Sequence, residues 1–175
     1  MIKAAVLLSL VLTLTACTSS NSASQAFESM PPSPSVPSEA QAFSPVALSA
    51  PVLLAGTTSQ YYEFSQAEFN KAVDDHKVIY LEFYATWCPT CKAQEPAILA
   101  AFQKLTDPNL IGFRVNYNDS FTDLDEKALS ERYNVTYQHT KVILHDGEVL
   151  FNKNEIWNEQ TALKKLSQYR DVHGH

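Results

Sequence analysis

Two cysteines separated by two residues carry the first chemical signal in this sequence. Cys88 and Cys91 lie in the run Trp-Cys-Pro-Thr-Cys, with an apolar, strand-like run before them and a helix-like run after them. At a strand-to-helix junction, this spacing places one thiol at the helix N-terminus and the other one turn further in. Pro89 falls at the first helical position, where its fixed φ suits a helix start. The pattern predicts thiol-disulfide chemistry.

The two thiols have different predicted roles. Free backbone N–H groups and the positive end of the helix dipole stabilise a thiolate at the N-cap, so Cys88 is predicted to be the attacking thiol. The backbone N–H groups of Thr90 and Cys91 are its predicted donors. Cys91 faces inward within bonding reach of Cys88. It is therefore the predicted resolving thiol, which closes the disulfide and releases the partner.

The segments around the pair alternate between strands and helices. After Lys77, the run 77–84 is apolar apart from Glu82, as expected of a central strand covered on both faces. A carboxylate there is expensive to bury unpaired, so Glu82 either lies on a solvated face or serves proton chemistry. Ser65 and Glu68 form a capping-box pattern, and Asp146-Gly147 indicates a hairpin. The predicted order is β-α-β-α-β-α-β-β-α, an α/β fold.

The first residues are predicted to be a targeting segment. A short basic start is followed by an apolar run at 4–14, which is too short to span a bilayer. Leu-x-Ala-Cys at 14–17 resembles the lipobox of bacterial lipoproteins, and this resemblance implies a signal peptide at 1–16 and a lipid on Cys17. An ordinary secretory signal with an incidental cysteine is the alternative.

The next stretch is predicted to be a tether. Residues 17–59 are rich in Ser, Pro and Ala and poor in charge, so they are expected to be disordered, although the apolar piece 46–54 could dock on the domain or on a neighbour. A folded domain is predicted at 60–172 and a tail at 173–175. We expect the domain to be membrane-anchored in the cell envelope on the extracytoplasmic side, which is the periplasm in a Gram-negative cell. With Cys17 assigned to lipid, Cys88 and Cys91 remain as an isolated pair.

The length of the chain limits the number of domains, and its charge limits the class of partner. The 175 residues suffice for one domain with a hydrophobic core, and we expect a monomer. The chain has 19 Asp and Glu against 13 Lys and Arg. This acidic balance argues against nucleic acid as a partner.

Residues 60–171 resemble the thioredoxin family. The resemblance rests on Phe-Tyr-Ala-x-Trp-Cys-x-x-Cys-Lys at 83–92, on Pro96, on Tyr-Asn-Val at 133–135 and on Asp-Gly-Glu at 146–148. It implies a thioredoxin fold with a central mixed sheet flanked by helices, and dithiol-disulfide exchange with partner proteins at Cys88 and Cys91 without a cofactor. It also implies that Glu82 helps to move the proton on or off Cys91. The residues implied to line the substrate site are Trp87, Pro89, Thr90, Gln138, His139 and Thr140.

His139 departs from the family pattern, because the family normally has a cis-proline just before Thr140. A cis peptide before a non-proline residue costs about 2.5 to 4 kcal/mol, so we expect a trans peptide here and a rearranged loop. If the ring faces the pair, its imidazolium could stabilise the Cys88 thiolate. Alternatively, Cys88, Cys91 and His139 could bind zinc or another soft metal. A loop histidine bonded to backbone is the third reading.

Three functions follow from these residues. The main prediction is an extracytoplasmic thiol-disulfide oxidoreductase without a metal, which acts on protein thiols or disulfides with an unidentified redox partner, as a reductase or as an oxidase. The first alternative is a metal-binding module that uses Cys88, Cys91 and His139. The second is a non-redox binding module on the same scaffold.

Overall fold

A computed structural model describes residues 50–169 of the chain. The predicted signal peptide, Cys17, most of the predicted tether and the tail at 173–175 lie outside the described residues. Within residues 50–169, no helix has the length and apolar character needed to cross a membrane.

The described part of the chain forms six strands and four helices. In chain order they are β1 (Leu53–Ala55), β2 (Gln60–Glu63), α1 (Gln66–Asp74), β3 (Val78–Tyr84), α2 (Pro89–Lys104), β4 (Leu110–Asn116), α3 (Leu124–Arg132), β5 (Thr140–His145), β6 (Glu148–Asn154) and α4 (Glu159–Ser167).

The strands form one mixed sheet in the order β1-β2-β4-β3-β5-β6. β2 and β3 are both parallel to β4, whereas β5 is antiparallel to β3 and β6 is antiparallel to β5. Parallel strands need crossover connections, and α1 and α2 supply them. The predicted thioredoxin fold is confirmed, with the predicted element order running from β2 to α4.

β1 is one strand more than the sequence predicted. It lies within the stretch assigned to the tether and pairs antiparallel with β2, with Leu53 opposite Tyr62. Gly56 turns the chain between the two strands with φ +84°, and a Cβ there would lie 1.9 Å from the Ser59 carbonyl oxygen. The prediction of a disordered tether through residue 59 is therefore wrong for its last part. The sequence did not reveal this strand because three residues are too few to show a periodicity.

The sheet has a separate hydrophobic core on each face. The α2 and α4 side contains Tyr80 of β3, and the α1 and α3 side contains Ile79, Leu81 and Phe83 of the same strand. Side chains alternate across a strand, so Glu82 points to the same side as Tyr80. This is the side on which α2, the helix that begins just after Cys88, packs.

The start of α1 lacks its predicted side-chain cap. Ser65 makes no side-chain cap bond; it begins α1 only through its carbonyl, which accepts from the Phe69 N–H. The predicted capping box at Ser65 and Glu68 is therefore wrong. A complete capping box occurs at α3, where Asp123 accepts from the Glu126 N–H at 2.8 Å and Glu126 accepts from the Asp123 N–H at 3.0 Å.

Candidate redox site

The cysteine pair lies at the start of α2. Cys88 is the N-cap residue and Pro89 follows at the first helical position. The Cys91 N–H donates to Cys88 Sγ at 3.3 Å, and the Cys88 N–H donates to the Ala85 carbonyl at 3.0 Å. Of the two predicted donors to Cys88, Cys91 makes the bond. A thiol at this position meets the positive end of the helix dipole.

The two free thiols are both covered by protein. Cys88 is 2% exposed and Cys91 is fully buried. Burial, followed by the hydrogen bond to Cys88, raises the pKa of Cys91 to about 12. Cys91 is therefore protonated at neutral pH. It needs a base close by before it can attack a disulfide, because the thiolate is the nucleophile.

Glu82 lies in the core under the pair. Its carboxylate accepts a hydrogen bond from the Tyr61 hydroxyl at 2.8 Å and one from Gln94 Nε2 at 3.3 Å. Only 2% of the residue is exposed, so the solvated alternative does not apply. Its negative charge adds to burial in raising the pKa of Cys91. Glu82 therefore acts on Cys91 electrostatically.

Lys141 is a site residue that the sequence reasoning missed. It is fully buried, its Nζ lies 3.6 Å from Glu82 Oε1, and the two residues are cross-strand partners between β3 and β5. Burial lowers the pKa of Lys141, while Glu82 and then Cys91 act in the opposite direction. The ammonium also donates to the His139 carbonyl at 2.9 Å. A lone lysine in an otherwise apolar strand was the available signal, but only the register of β5 pairs it with Glu82.

The other basic neighbour of Glu82 serves different acids. Arg114 is the cross-strand partner of Glu82 on β4, yet its guanidinium binds Glu63 and Glu95. Among the described residues, Lys141 is thus the cation that forms the ion pair with Glu82. Gln94 and Tyr61, which the sequence reasoning also missed, complete the polar surroundings of this carboxylate.

His139 faces the cysteine pair. The Gln138–His139 peptide is trans, and His139 has φ +52°, in the left-handed region. Its N–H donates to the Phe83 carbonyl at 2.6 Å, and a ring nitrogen lies within 4.8 Å of the sulfurs of Cys88 and Cys91. The buried Nδ1 has no hydrogen-bond partner in the described part of the chain. The reading of a loop histidine bonded to backbone describes its main-chain N–H and not its ring.

The charge state of His139 follows from its surroundings. Burial lowers the pKa of the ring and the Lys141 ammonium lowers it further, whereas the Asn154 side chain and the charge of Glu82 act in the opposite direction without reversing the shift. The imidazole is therefore neutral at neutral pH. Stabilisation of the Cys88 thiolate by an imidazolium is correspondingly disfavoured, and the ring offers a lone pair instead.

Trp87 stands at the rim of the site. It is 52% exposed, and its indole N–H donates to the Asn118 carbonyl at 3.0 Å. The neighbouring Thr86 N–H donates to Asp119 at 2.9 Å. The loop after β4 therefore fixes the segment just before Cys88, and the face of the indole remains open to solvent.

The other predicted lining residues flank the pair on two sides. Pro89 is exposed and Thr90 half-buried at the start of α2. Gln138 is half-buried, and its carbonyl accepts from Asn154 at 2.8 Å; the hydroxyl of the buried Thr140 accepts a second bond from the same amide at 3.2 Å. These contacts attach the loop before β5 to β6.

Comparison with known proteins decides the family. The family model for thioredoxin matches residues 60–168. The chain belongs to the thioredoxin family. A thioredoxin of Coprinus comatus is 33% identical over 101 residues, which cover 58% of this chain and 88% of that protein. A protein disulfide-isomerase of barley (Hordeum vulgare) is 35% identical over 81 residues, or 45% of this chain.

The match to some relatives is partial. The chain spans 15% of the barley isomerase and 56% of thioredoxin H2 of Arabidopsis thaliana, to which it is 30% identical over 84 residues.

Solved thioredoxin-family structures share the fold. The Trxlp structure of Edwardsiella tarda has a TM-score of 0.50 at 24% identity, covering 59% of this chain and 95% of that one. Spinach chloroplast thioredoxin f has a TM-score of 0.51 at 17% identity, covering 65% and 96%.

Proposed function

We propose that this thioredoxin-family protein is a thiol-disulfide oxidoreductase that exchanges its Cys88-Cys91 pair with the thiols or disulfides of partner proteins. The observation that carries the proposal is the placement of both sulfurs at the N-terminus of α2, where the Cys91 N–H donates to Cys88 Sγ at 3.3 Å. The similarity to thioredoxins and to protein disulfide-isomerases supports it.

The reaction consists of two thiol-disulfide exchange steps. The Cys88 thiolate attacks one sulfur of a partner disulfide, so that a Cys88–partner bond forms and the second partner sulfur leaves as a thiolate and takes up a proton. Cys91 then loses its proton and attacks Cys88 Sγ, which releases the first partner sulfur. The partner gains two electrons, and the Cys88-Cys91 pair becomes the disulfide. The reverse sequence oxidises a partner dithiol.

The second step requires the proton of a buried thiol to leave. Glu82 is the group we assign to accept it, because Glu82 is a buried carboxylate that is coupled to Cys91 by charge. General-base assistance contributes typically about 10²- to 10⁴-fold to a rate. After the disulfide closes, Glu82 releases this proton to solvent, and the departing partner thiolate takes up a proton from solvent.

Cys91→Ser tests the exchange. This variant keeps the attacking thiol and removes the resolving one, so it should accumulate mixed disulfides in cells, detectable as reducible bands on a non-reducing gel. Cys88→Ser with Cys91→Ser is the matched control and should accumulate none. Absence of mixed disulfides in Cys91→Ser cells would contradict the proposal, and an unchanged cellular phenotype in the double variant would favour a non-redox binding role.

We also propose that the domain is extracytoplasmic and lipid-anchored through Cys17. The support is the apolar run at 4–14 and the lipobox-like Leu-x-Ala-Cys at 14–17, which lie outside the described residues. Labelling of cells with radioactive palmitate should mark the wild-type chain and leave Cys17→Ser unlabelled. Recovery of the unlabelled wild-type chain from a salt-washed soluble fraction would contradict the anchor.

A further inference from the structure

We propose that Cys88, Cys91 and His139 form a binding site for a soft divalent metal ion of the zinc class, in addition to their exchange chemistry. Among residues 50–169 these three side chains make a group in which one donor atom from each lies within 4.8 Å of the others. Thiolate and imidazole are the ligands that Zn²⁺ prefers. Metal binding goes beyond the proposed exchange and does not depend on it.

The separation of the donors suits a small ion. Zn–S bonds of about 2.3 Å and Zn–N bonds of about 2.0 to 2.1 Å in a tetrahedron place ligand atoms about 3.4 to 3.8 Å apart. Donors within 4.8 Å of one another therefore need to approach by about 1.4 Å at most. Three protein ligands leave a fourth position open for water or for a sulfur of a partner.

The backbone of His139 is held so that its ring stays on the pair. A non-glycine residue with φ near +52° stores about 1 to 2 kcal/mol of strain, which its surroundings must offset. Two hydrogen bonds do so: the His139 N–H donates to Phe83 at 2.6 Å, and Lys141 donates to the His139 carbonyl at 2.9 Å. The ring is thus positioned by its backbone.

A ring nitrogen of His139 faces the two sulfurs. The ring Nδ1 is buried and makes no hydrogen bond among the described residues, although the Asn154 side chain raises the pKa of the ring. An unsatisfied buried polar atom costs about 1 to 3 kcal/mol, so such atoms call for a physical reason. An ion bound through Nδ1 would supply the missing partner.

The charge of the filled site also suits its buried position. Two thiolates, a neutral imidazole and a divalent ion sum to zero, and the Glu82–Lys141 ion pair beneath them is also neutral. A neutral cluster avoids the penalty for an isolated buried charge. Binding displaces the protons of both thiols to solvent.

Metal occupancy and the disulfide exclude one another. The disulfide bond uses both sulfurs, so oxidation of the pair by a partner disulfide removes two of the three ligands. A bound ion keeps both thiolates from attacking a partner. We therefore expect Zn²⁺ to hold the pair reduced and to inhibit exchange.

Zn²⁺ and Co²⁺ titrations of the reduced, metal-stripped full chain in detergent test the site. The wild-type chain should bind one ion and show thiolate-to-Co²⁺ charge-transfer absorption. His139→Ala and the size-conserving His139→Gln should each lower the affinity at least about 10- to 100-fold, the loss seen when even an outer-shell partner is removed. His76→Ala, at an exposed histidine, is the matched control and should bind as wild type.

The outcomes separate metal binding from exchange. Wild-type protein that retains no metal, or folded His139 variants with unchanged affinity, would overturn the metal site whatever the exchange activity. Exchange by the metal-free wild-type chain, measured as a single-turnover reaction of the pre-reduced pair with a disulfide-bonded peptide in the absence of other thiols, tests the proposed function by itself. Zn²⁺ should suppress that exchange in the wild-type chain and suppress it much less in His139→Gln. Equal suppression in both would also count against His139 as a ligand.

Discussion

The buried ion pair between Glu82 and Lys141 yields the sharpest stability prediction. Lys141→Met keeps the length of the side chain and its apolar stem and removes the ammonium. Glu82 then stays in the core with only its bonds from Tyr61 and Gln94, and the His139 carbonyl loses its donor. Removing one partner of a buried pair costs about 3 to 5 kcal/mol, because the other charge is left uncompensated.

A double substitution tests whether the uncompensated charge of Glu82 causes this loss of stability. Glu82→Gln combined with Lys141→Met removes both charges and leaves two side chains of nearly the original volume. Such replacements are often neutral or stabilising. The double variant should therefore be more stable than Lys141→Met alone by about 3 kcal/mol, although it carries one more substitution. This non-additivity measures the coupling of the pair.

Urea unfolding of the reduced chain, followed by far-ultraviolet circular dichroism, measures these differences. With a slope of about 1 to 3 kcal/mol per molar urea, a loss of 3 kcal/mol lowers the midpoint by about 1 to 3 M. Lys141→Arg is the control that keeps the positive charge. Additive effects of the two substitutions, or a Lys141→Met midpoint equal to that of the wild-type chain, would refute the ion pair as a source of stability.

Three further predictions concern proton transfer, a helix cap and a packed glycine. Glu82→Gln should slow the decay of a preformed mixed disulfide at pH 7 by about 10²- to 10⁴-fold, since burial raises the pKa of Cys91 and the variant lacks the carboxylate that accepts its proton. The decay of the variant should become faster as the pH rises, because more of Cys91 is then thiolate, and a pH-independent rate would contradict this reasoning. Asp123→Ala should lower the free energy of unfolding by about 0.5 to 2 kcal/mol, measured by thermal unfolding, because it removes a side-chain cap. Ser65→Ala, at a helix start without a side-chain cap bond, is the control and should change it by less than about 0.5 kcal/mol. Equal losses in the two variants would contradict the prediction. Gly112→Ala would bring a Cβ to 2.5 Å from the ring of Phe102 and to 2.7 Å from the ring of Tyr61. This overpacking should lower the free energy of unfolding in urea by about 1 to 3 kcal/mol. A variant as stable as the wild-type chain would contradict the prediction.

The sequence by itself determined the local features of this protein. Cys88 and Cys91 could be placed at a strand-to-helix junction because an apolar run precedes them and Pro89 starts a helix, which are properties of adjacent residues. The trans peptide at His139 followed from its residue type. The element order from β2 to α4 followed in the same way, from the alternation of apolar runs with turn and cap residues. β1 was missed because three residues with one partner strand carry too little pattern.

Only the tertiary structure decided what surrounds the two sulfurs. Lys141 reaches Glu82 because β5 pairs antiparallel with β3 in one register; a shift of one residue would turn it to the other face of the sheet. Whether His139 faces the cysteines depends on a left-handed backbone held by contacts to Phe83 and Lys141. These are contacts between residues far apart in the chain, and local periodicity carries no information about their register. The sequence therefore specified the cysteine pair, and the fold decided which charged residues and which histidine lie beside it.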